Sequence, residues 1–282
     1  RTCWPPPIGK SSRQCIDAMK NNLNKDFLQS KQRQSAGLEK AFFKALRRGE
    51  RKAIAKGLSL LESTSTRYEE ARIGLLEWMY TQKSKAAKRI GITGSPGVGK
   101  SSFIESLGQL LCDHGQRVAV LSIDPSSALS GGSILGDQTR MTELSKRETA
   151  YIRPSPSRNI LGGVAGATRE SIALFEVLSY DFILIETVGV GQSEIAVAQM
   201  TDLFLLLLLP GAGDSLQGIK RGVVEMADII AVNKADGDRV VAASETKRAY
   251  KQAIQLFPPK KSGWETSLHT ISSTEWTGIP EL

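Results

Sequence analysis

Apolar residues change their spacing once along the chain. Between residues 37 and 82 they recur at helical intervals. Leu38, Phe42, Ala45 and Leu46 fall on one face, and after a break at Gly49 so do Ile54, Leu58 and Leu61. A third helix is predicted over 67–82, followed by the basic linker KSKAAKR. From residue 89 onward the apolar residues come in short unbroken runs. These predict strands near 89–93, 117–123, 149–153, 181–186, 203–209, 228–233 and 268–271. Helical spacing fills 100–113, 163–179, 216–226 and 239–256. Strands apolar along their whole length, alternating with helices, predict an α/β fold: a mostly parallel sheet covered by helices on both faces. The division that follows is a basic tail at 1–35, poorly ordered, a small N-terminal helical module at 36–86 and the α/β domain at 87–282.

Composition changes this picture little. Hydrophobic content of 40% and charged content of 23% are ordinary for a globular chain. The longest strongly apolar run, LFLLLLL at 203–209, is far short of the roughly 20 residues that span a bilayer. It reads as a buried central strand, and no membrane partner is expected. The net charge of +8 is uneven. Residues 1–35 carry seven Lys/Arg against two Asp, residues 36–62 carry seven against three Glu, and the remaining 220 sum to −1. A near-neutral domain argues against a nucleic-acid surface, which needs a basic stripe on the folded part. Three scattered cysteines imply neither a disulfide framework nor a zinc site and suit a reducing compartment. Residues 1–16 carry Arg1, Lys10 and Arg13 and no acid, but WPPP interrupts the amphipathic helix that a transit peptide needs. The chain opens on Arg1 rather than Met, so a preceding segment is expected.

Two motifs carry the chemistry. GSPGVGKSS comprises Gly94, Ser95, Pro96, Gly97, Val98, Gly99, Lys100, Ser101 and Ser102. It fits the P-loop pattern, directly after a predicted strand and directly before an amphipathic helix. Its glycines let the backbone curl so that N–H groups converge, and the helix start adds positive potential. Lys100 is suited to the outer phosphates and the Ser101 hydroxyl to Mg²⁺. The fold class is therefore that of a P-loop NTPase. NKAD, at 233–236, ends another predicted strand 134 residues after Lys100. The Asp236 carboxylate can accept from both N1–H and the 2-amino group of guanine, whereas adenine would leave it unpaired. Asn233 would meet the far side of the base and the Lys234 stem would lie over the ring. Ser272, Ser273 and Thr274, after the last strand, would back the guanine with backbone N–H groups.

Other residues are read less sharply from pattern alone. Glu186 ends the strand in DFILIETVGVGQSE, followed by Gly189 in the acid-x-x-Gly arrangement of a nucleotide switch. Gly189 is the hinge whose N–H would sense the γ-phosphate. Gln192 lies near that point but is not taken as the catalytic glutamine. Asp124 is either a metal ligand or a turn-forming Asp-Pro, and Asp137 either a metal ligand or a helix N-cap. PGAGDSLQGIKRG, at 210–222, is a Gly-rich loop that could close over phosphates. Its Lys220 and Arg221 are either transition-state cations or a solvated turn of helix.

The motifs GSPGVGKSS, GGSILGDQTRM, YDFILIETVGVGQSE, PGAGDSLQGIKRG and ADIIAVNKADGD together resemble the methylmalonyl-CoA mutase-associated GTPases, the group also known as arginine/ornithine transport kinases. The likeness covers residues 38–282. The resemblance implies a GTP-hydrolysing chaperone that gates adenosylcobalamin loading of a B12-dependent mutase and keeps damaged cofactor out. A cobalamin adenosyltransferase is a second candidate partner. It implies GTP and GDP as ligands, and Mg²⁺ held by Ser101, Asp124, Asp137 and Glu186. It makes the loop with Gln217 and Lys220 the partner-ordered switch, with Lys220 neutralising developing charge and Gln217 helping to place it. The implied location is soluble and intracellular, cytoplasmic in a bacterium and the mitochondrial matrix in a eukaryote. Gln138 and Ser273 stand where the family usually has lysine and alanine. The family homodimerises through a helical arm beyond the position of Leu282, an arm that this sequence does not include.

Three other functions fit the sequence less well. A P-loop kinase would need an adenine pocket, against which NKAD argues. A nickel metallochaperone would need a His- or Cys-rich site, and the chain has only His114, His269 and the scattered cysteines. A non-enzymatic scaffold is hard to reconcile with the lysine, the serine and three acids around one P-loop.

Overall fold

The computed structural model describes residues 40–123, 141–153, 161–187, 193–211, 221–260 and 263–282. Residues 1–35, together with Leu38, Asp124, Asp137, Gln138, Gly189, Gln192, Gln217 and Lys220, lie outside the described residues. The chain divides into two compact units, Arg1–Ala87 with Gly162–Asp181, and Lys88–Leu161 with Phe182–Leu282.

The first unit is helical. It holds α1 (Lys40–Arg47), α2 (Arg51–Glu62) and α3 (Glu69–Thr81), the last entered through a 3₁₀ turn at Thr66–Tyr68. Phe42 and Leu46 of α1, and Ile54, Leu58 and Leu61 of α2, are buried as the spacing requires. Gly49, at φ +73, makes the reversal between α1 and α2. The unit also takes in most of α6 (Leu161–Val177), which sequence pattern alone assigns to the nucleotide-binding half. The packing explains it. A Cβ on Gly57 would lie 3.4 Å from Leu174 of α6 and 3.7 Å from both Leu46 and Leu75, so three helices meet over this one small residue. Arg72 of α3 pairs with Glu170 of α6, and Lys85 with Asp181. The Lys85 backbone N–H also donates to Glu176 O.

The second unit is a seven-stranded sheet. The strands are β1 (Lys88–Gly94), β2 (Val118–Ile123), β3 (Ala150–Arg153), β4 (Phe182–Thr187), β5 (Leu203–Leu208), β6 (Ile229–Val232) and β7 (Ser267–Thr270). Their order is β3-β2-β4-β1-β5-β6-β7, and all six pairings are parallel. Every residue of β2 and β6 and five of six in β4 and β5 are buried, which explains the unbroken apolar runs. The helices in this unit are α4 (Lys100–Asp113), α5 (Thr142–Lys146), α7 (Ser193–Ala198), α8 (Arg221–Met226) and α9 (Val240–Ile254). Helix α4 stops at Gly115, at φ +72, whose N–H donates back to Cys112 O. Among the described residues no helix is long and apolar enough to cross a membrane.

The topology fixes where a ligand can sit. From β1 the chain first builds outward through β2 and β3 on one side, then returns through β4 and builds β5, β6 and β7 on the other. Ligands of such sheets bind at the carboxyl ends of the strands around this reversal. The P-loop leaves β1, Glu186 is the last residue but one of β4, Asn233 follows β6 and Ile271–Thr274 follow β7. From β1 to β7 is three strand spacings, about 14 Å, on the scale of a nucleoside triphosphate.

Candidate nucleotide site

The phosphate end is built from backbone. Gly94 has φ +151, and a Cβ there would lie 2.5 Å from Leu207 O of β5, so no larger residue fits the strand exit. Gly99, at φ +95, caps α4, and a Cβ there would meet Asn233 Nδ2 at 2.6 Å. Gly97, at φ +78, has open space around it and needs glycine only for its backbone. Val98 is fully buried and joins the sheet core with Phe103, Ile104 and Leu207, which anchors the loop from below. The Val98 N–H donates to Ser95 O at 3.2 Å to close the turn. Lys100 is buried and its Nζ donates to Gly94 O at 2.8 Å and Ser95 O at 3.3 Å, so its ammonium is held at the loop. The N–H groups of the first turn of α4 have no intrahelical acceptor and add positive potential there.

The metal side begins next to it. The Ser101 hydroxyl donates to Glu186 Oε1 at 3.3 Å, joining α4 to the end of β4. A hydroxyl and a carboxylate in contact are the hard oxygen donors that Mg²⁺ takes, so these residues fit the ion. Thr187 donates to Thr93 Oγ1 at 2.9 Å, both side chains buried, which fastens the residue after Glu186 to the P-loop entry. Sequence reading missed this threonine pair; two hydroxyls at the carboxyl ends of strands adjacent in the sheet were its only signal. Among the described residues no group of three or more His, Cys, Asp or Glu could hold a metal.

The base end has a different internal logic from the one the motif suggests. Asn233 is buried and directs its side chain at the protein: Nδ2 donates to Val98 O at 2.9 Å, and Oδ1 accepts from Ser273 N at 3.1 Å and Ser273 Oγ at 2.8 Å. It is a strut between the P-loop and the loop after β7. Lys234, at φ +59, extends to Gly97 O and donates to it at 2.8 Å. Asp236 Oδ2 accepts from Ser272 Oγ at 2.6 Å, and that same hydroxyl accepts from Glu275 N at 3.1 Å. One Asp236 oxygen is thus fixed by protein, which orients the carboxylate. A cavity of about 340 Å³ opens beside Asp236, lined also by Gly237, Val240, Ser244, Ile271 and Glu275. No P-loop residue lines it, so it is distinct from the phosphate cradle. Two further positioning residues were not read from sequence. Ser106 of α4, buried, donates to Ser273 O at 2.7 Å. Glu105 Oε1 accepts from the N–H groups of Glu143 and Leu144 at 2.9 and 3.1 Å and so caps α5. The signal for Ser106 was a small polar residue one helical turn after Phe103, on a face that is otherwise apolar.

The structure therefore brings together Gly94 to Ser102, Glu186, Asn233, Lys234, Asp236 and Ser272 to Thr274 at one edge of one sheet. The family described as methylmalonyl Co-A mutase-associated GTPase MeaB matches residues 54–282. The chain belongs to this family. It is accordingly a GTPase with a nucleotide-binding P-loop. A probable GTPase of Mycobacterium tuberculosis is 51% identical over 238 residues, covering 84% of this chain and 70% of the relative. The mitochondrial methylmalonic aciduria type A homolog of Mus musculus is 47% identical over 249 residues, covering 85% of this chain and 60% of the relative. GTPase ArgK of Escherichia coli is 44% identical over 237 residues, covering 84% and 71%. The crystal structure of an LAO/AO transport system kinase superposes with a TM-score of 0.72 at 35% identity, covering 87% of this chain and 74% of that one.

Proposed function

We propose that this GTPase is a chaperone for a B12-dependent acyl-CoA mutase of the methylmalonyl-CoA type, coupling GTP hydrolysis to adenosylcobalamin loading and to exclusion of damaged cofactor. The observation that carries the reading is the family match, whose description names association with that mutase and which spans 54–282. A cobalamin adenosyltransferase is the natural second partner, since it would supply the cofactor. The working compartment follows the mutase: cytoplasm in a bacterial host, mitochondrial matrix in a eukaryotic one.

In this reading Asp236 accepts from N1–H and the 2-amino group of guanine, with Ser272 to Thr274 behind the base. Lys100 exchanges its two loop carbonyls for phosphate oxygens, a strong charge-assisted pairing. Ser101, Glu186, Asp124 and Asp137 would hold Mg²⁺, which supplies positive charge against the β- and γ-phosphate oxygens. Water attacks the γ-phosphorus, the bond to the β–γ bridging oxygen breaks, and GDP leaves with that oxygen. Lys220, placed by Gln217, neutralises the charge that develops there, and Gly189 reports the γ-phosphate. Because two of these groups sit on a loop that the partner orders, hydrolysis is slow alone and faster with the mutase.

The test is a pull-down of the purified mutase with GTP, GDP and no nucleotide, paired with GTP turnover with and without mutase. Nucleotide-dependent capture and accelerated turnover are expected. Equal capture in all three states with unchanged turnover would remove the chaperone reading and leave the GTPase assignment standing. A fully stimulated Lys220→Ala variant would remove that residue from the mechanism alone.

A further inference from the structure

We propose that the Ser122 hydroxyl is a positioning group for Mg²⁺, giving the Glu186 carboxylate a second donor on the flank opposite Ser101 when the ion binds. The proposal rests on the reading that Mg²⁺ is held at Ser101 and Glu186.

The sheet register places Ser122 and Glu186 side by side. Strand β4 lies between β2 and β1, and Glu186 is paired with Ser122 on one side and with Ile92 on the other. Side chains alternate along a strand, so residues paired in parallel strands share a face. The residues below them identify that face. Val118 and Val120 of β2 and Leu184 of β4 belong to one core cluster with Ile92 and with Phe103 and Ile104 of the P-loop helix α4. Ser122 continues the row of Val118 and Val120, and Glu186 continues the row of Leu184. The two rows are apolar until the carboxyl end of the sheet, where a hydroxyl and a carboxylate stand on neighbouring strands roughly 4.8 Å apart. The pairing runs one residue further, Ile123 with Thr187, and Thr187 is fastened to Thr93, so the two strands are fixed at this level.

Ser122 is 3% exposed, and its Oγ is buried with no hydrogen-bond partner among the described residues. A hydroxyl in that state destabilises the fold, a cost that another valine in the same row would not carry. Its neighbour supplies the use. A serine side chain has three staggered positions about χ1, so the hydroxyl can turn toward β4 without a backbone shift. Ser101 reaches Glu186 Oε1 from the other side, through α4. A carboxylate offers about four lone-pair sites and can take donors from both flanks. With the Ser101 oxygen given to the ion, a bond from Ser122 fixes the plane of the carboxylate from the β2 side. Hydrogen bonds to an ionised acceptor are roughly twice as strong as neutral ones. The penalty that Ser122 carries in the nucleotide-free protein is relieved in the ion-loaded one, and the difference is read as Mg²⁺ affinity.

The experiment titrates Mg²⁺ into the full chain with a non-hydrolysable GTP analogue and reads analogue binding by calorimetry, alongside analogue affinity in chelator and the melting curve of the nucleotide-free protein. The variants are Ser122→Ala, Ser122→Thr and Ser101→Ala. Ser122→Ala removes one oxygen and adds no atom. Its Mg²⁺ midpoint should rise about tenfold, the scale of one hydrogen bond to a charged group. Its affinity in chelator should stay within about twofold, and its melting temperature should equal or exceed that of the parent, because an unsatisfied hydroxyl has gone. Ser122→Thr keeps the hydroxyl, and once shown to be folded should keep the parent midpoint; if it does not fold, the alanine variant decides alone. A merely structural serine would give the opposite pattern in Ser122→Ala: a lower melting temperature, and binding weakened alike with and without Mg²⁺. That pattern, or an unchanged midpoint, would overturn the proposal. Ser101→Ala separates the two levels. If its midpoint is that of the parent, the reading of the metal side fails and the proposal with it. If its midpoint rises while that of Ser122→Ala does not, the metal side stands and only the proposal is overturned.

Discussion

Ser101 and Glu186, 85 residues apart in the chain, bring a hydroxyl and a carboxylate oxygen to 3.3 Å at the junction of the P-loop helix and β4. The register of the sheet makes this contact possible. Glu186 is paired with Ile92, two residues before the strand exit at Gly94, and Thr187 is fastened to Thr93. A carboxylate held this firmly is preorganised for a divalent cation. Glu186→Gln keeps the size and one carbonyl acceptor but removes the charge. The expected outcome is a fall in GTP turnover of about a hundredfold, the scale of one lost electrostatic group. GDP affinity measured with chelator present should stay within about twofold, because the base and phosphate contacts do not use this side chain. Turnover across an Mg²⁺ titration, against GDP binding without Mg²⁺, checks both.

The three motif glycines should not be equivalent. Gly94→Ala drives a methyl to 2.5 Å from Leu207 O, a main-chain atom in the adjacent strand that cannot move without parting β1 from β5. Gly97→Ala meets nothing within 4 Å and carries only the strain of φ +78. That strain costs on the order of 1 kcal/mol. Gly97→Ala is expected to fold with a melting temperature a few degrees lower, and Gly94→Ala to lose its cooperative transition or its nucleotide binding. Thermal unfolding with and without GDP distinguishes the two.

What the sequence revealed depends on the range over which each feature is determined. The seven strands were legible because β2, β4, β5 and β6 are buried on both faces, and a run such as LFLLLL has no other economical use. The P-loop was legible because its glycines are dictated locally. Helix α6 was legible as a helix but not in its allegiance, since the residues that claim it, Gly57 and Arg72, lie about a hundred positions away. The short helices α5 and α7, at five and six residues, are too brief to leave a period of their own. Asn233 shows the same limit at the site. NKAD identifies the residue, but only the fold reveals that its amide is occupied by Val98 and Ser273.

The pair of Arg72 and Glu170 ties α3 to α6 within the helical unit, with side chains 35% and 11% exposed. Each partner also has a buried polar atom, Arg72 Nε and Glu170 Oε2, with no hydrogen-bond partner among the described residues. Such a pair costs desolvation to form, and breaking it from one side leaves the other charge stranded. Arg72→Met should therefore destabilise by about 2 kcal/mol, below the cost for a fully buried pair because the Arg72 side chain is a third exposed, since Glu170 is left without its partner. The double variant Arg72→Met/Glu170→Leu should recover most of that loss. A double-mutant cycle from urea denaturation reads the coupling directly. Equal losses in the single and double variants would show that packing, not charge, holds the helices together.

Tyr250 of α9 has no exposed surface, and its hydroxyl has no hydrogen-bond partner among the described residues. Burial pushes its pKa above the ordinary tyrosine value, because the phenolate would lose its hydration. The sign follows from linkage. The unfolded chain gives up this proton near pH 10, while the folded one retains it to higher pH. Tyr250 therefore contributes full stability below about pH 10, and that contribution is lost as pH rises toward the folded value. Tyr250→Phe removes both the unsatisfied hydroxyl and the titration. The variant should be more stable than the parent by about 1 kcal/mol at pH 7.5. Its advantage should widen at pH 10.5, where the parent alone carries the cost of holding a protonated phenol. Urea denaturation of both proteins at the two pH values checks this. An advantage that shrinks with pH would mean that the folded environment favours the phenolate, and a Tyr250→Phe variant less stable than the parent at pH 7.5 would mean that the hydroxyl is satisfied in the folded protein.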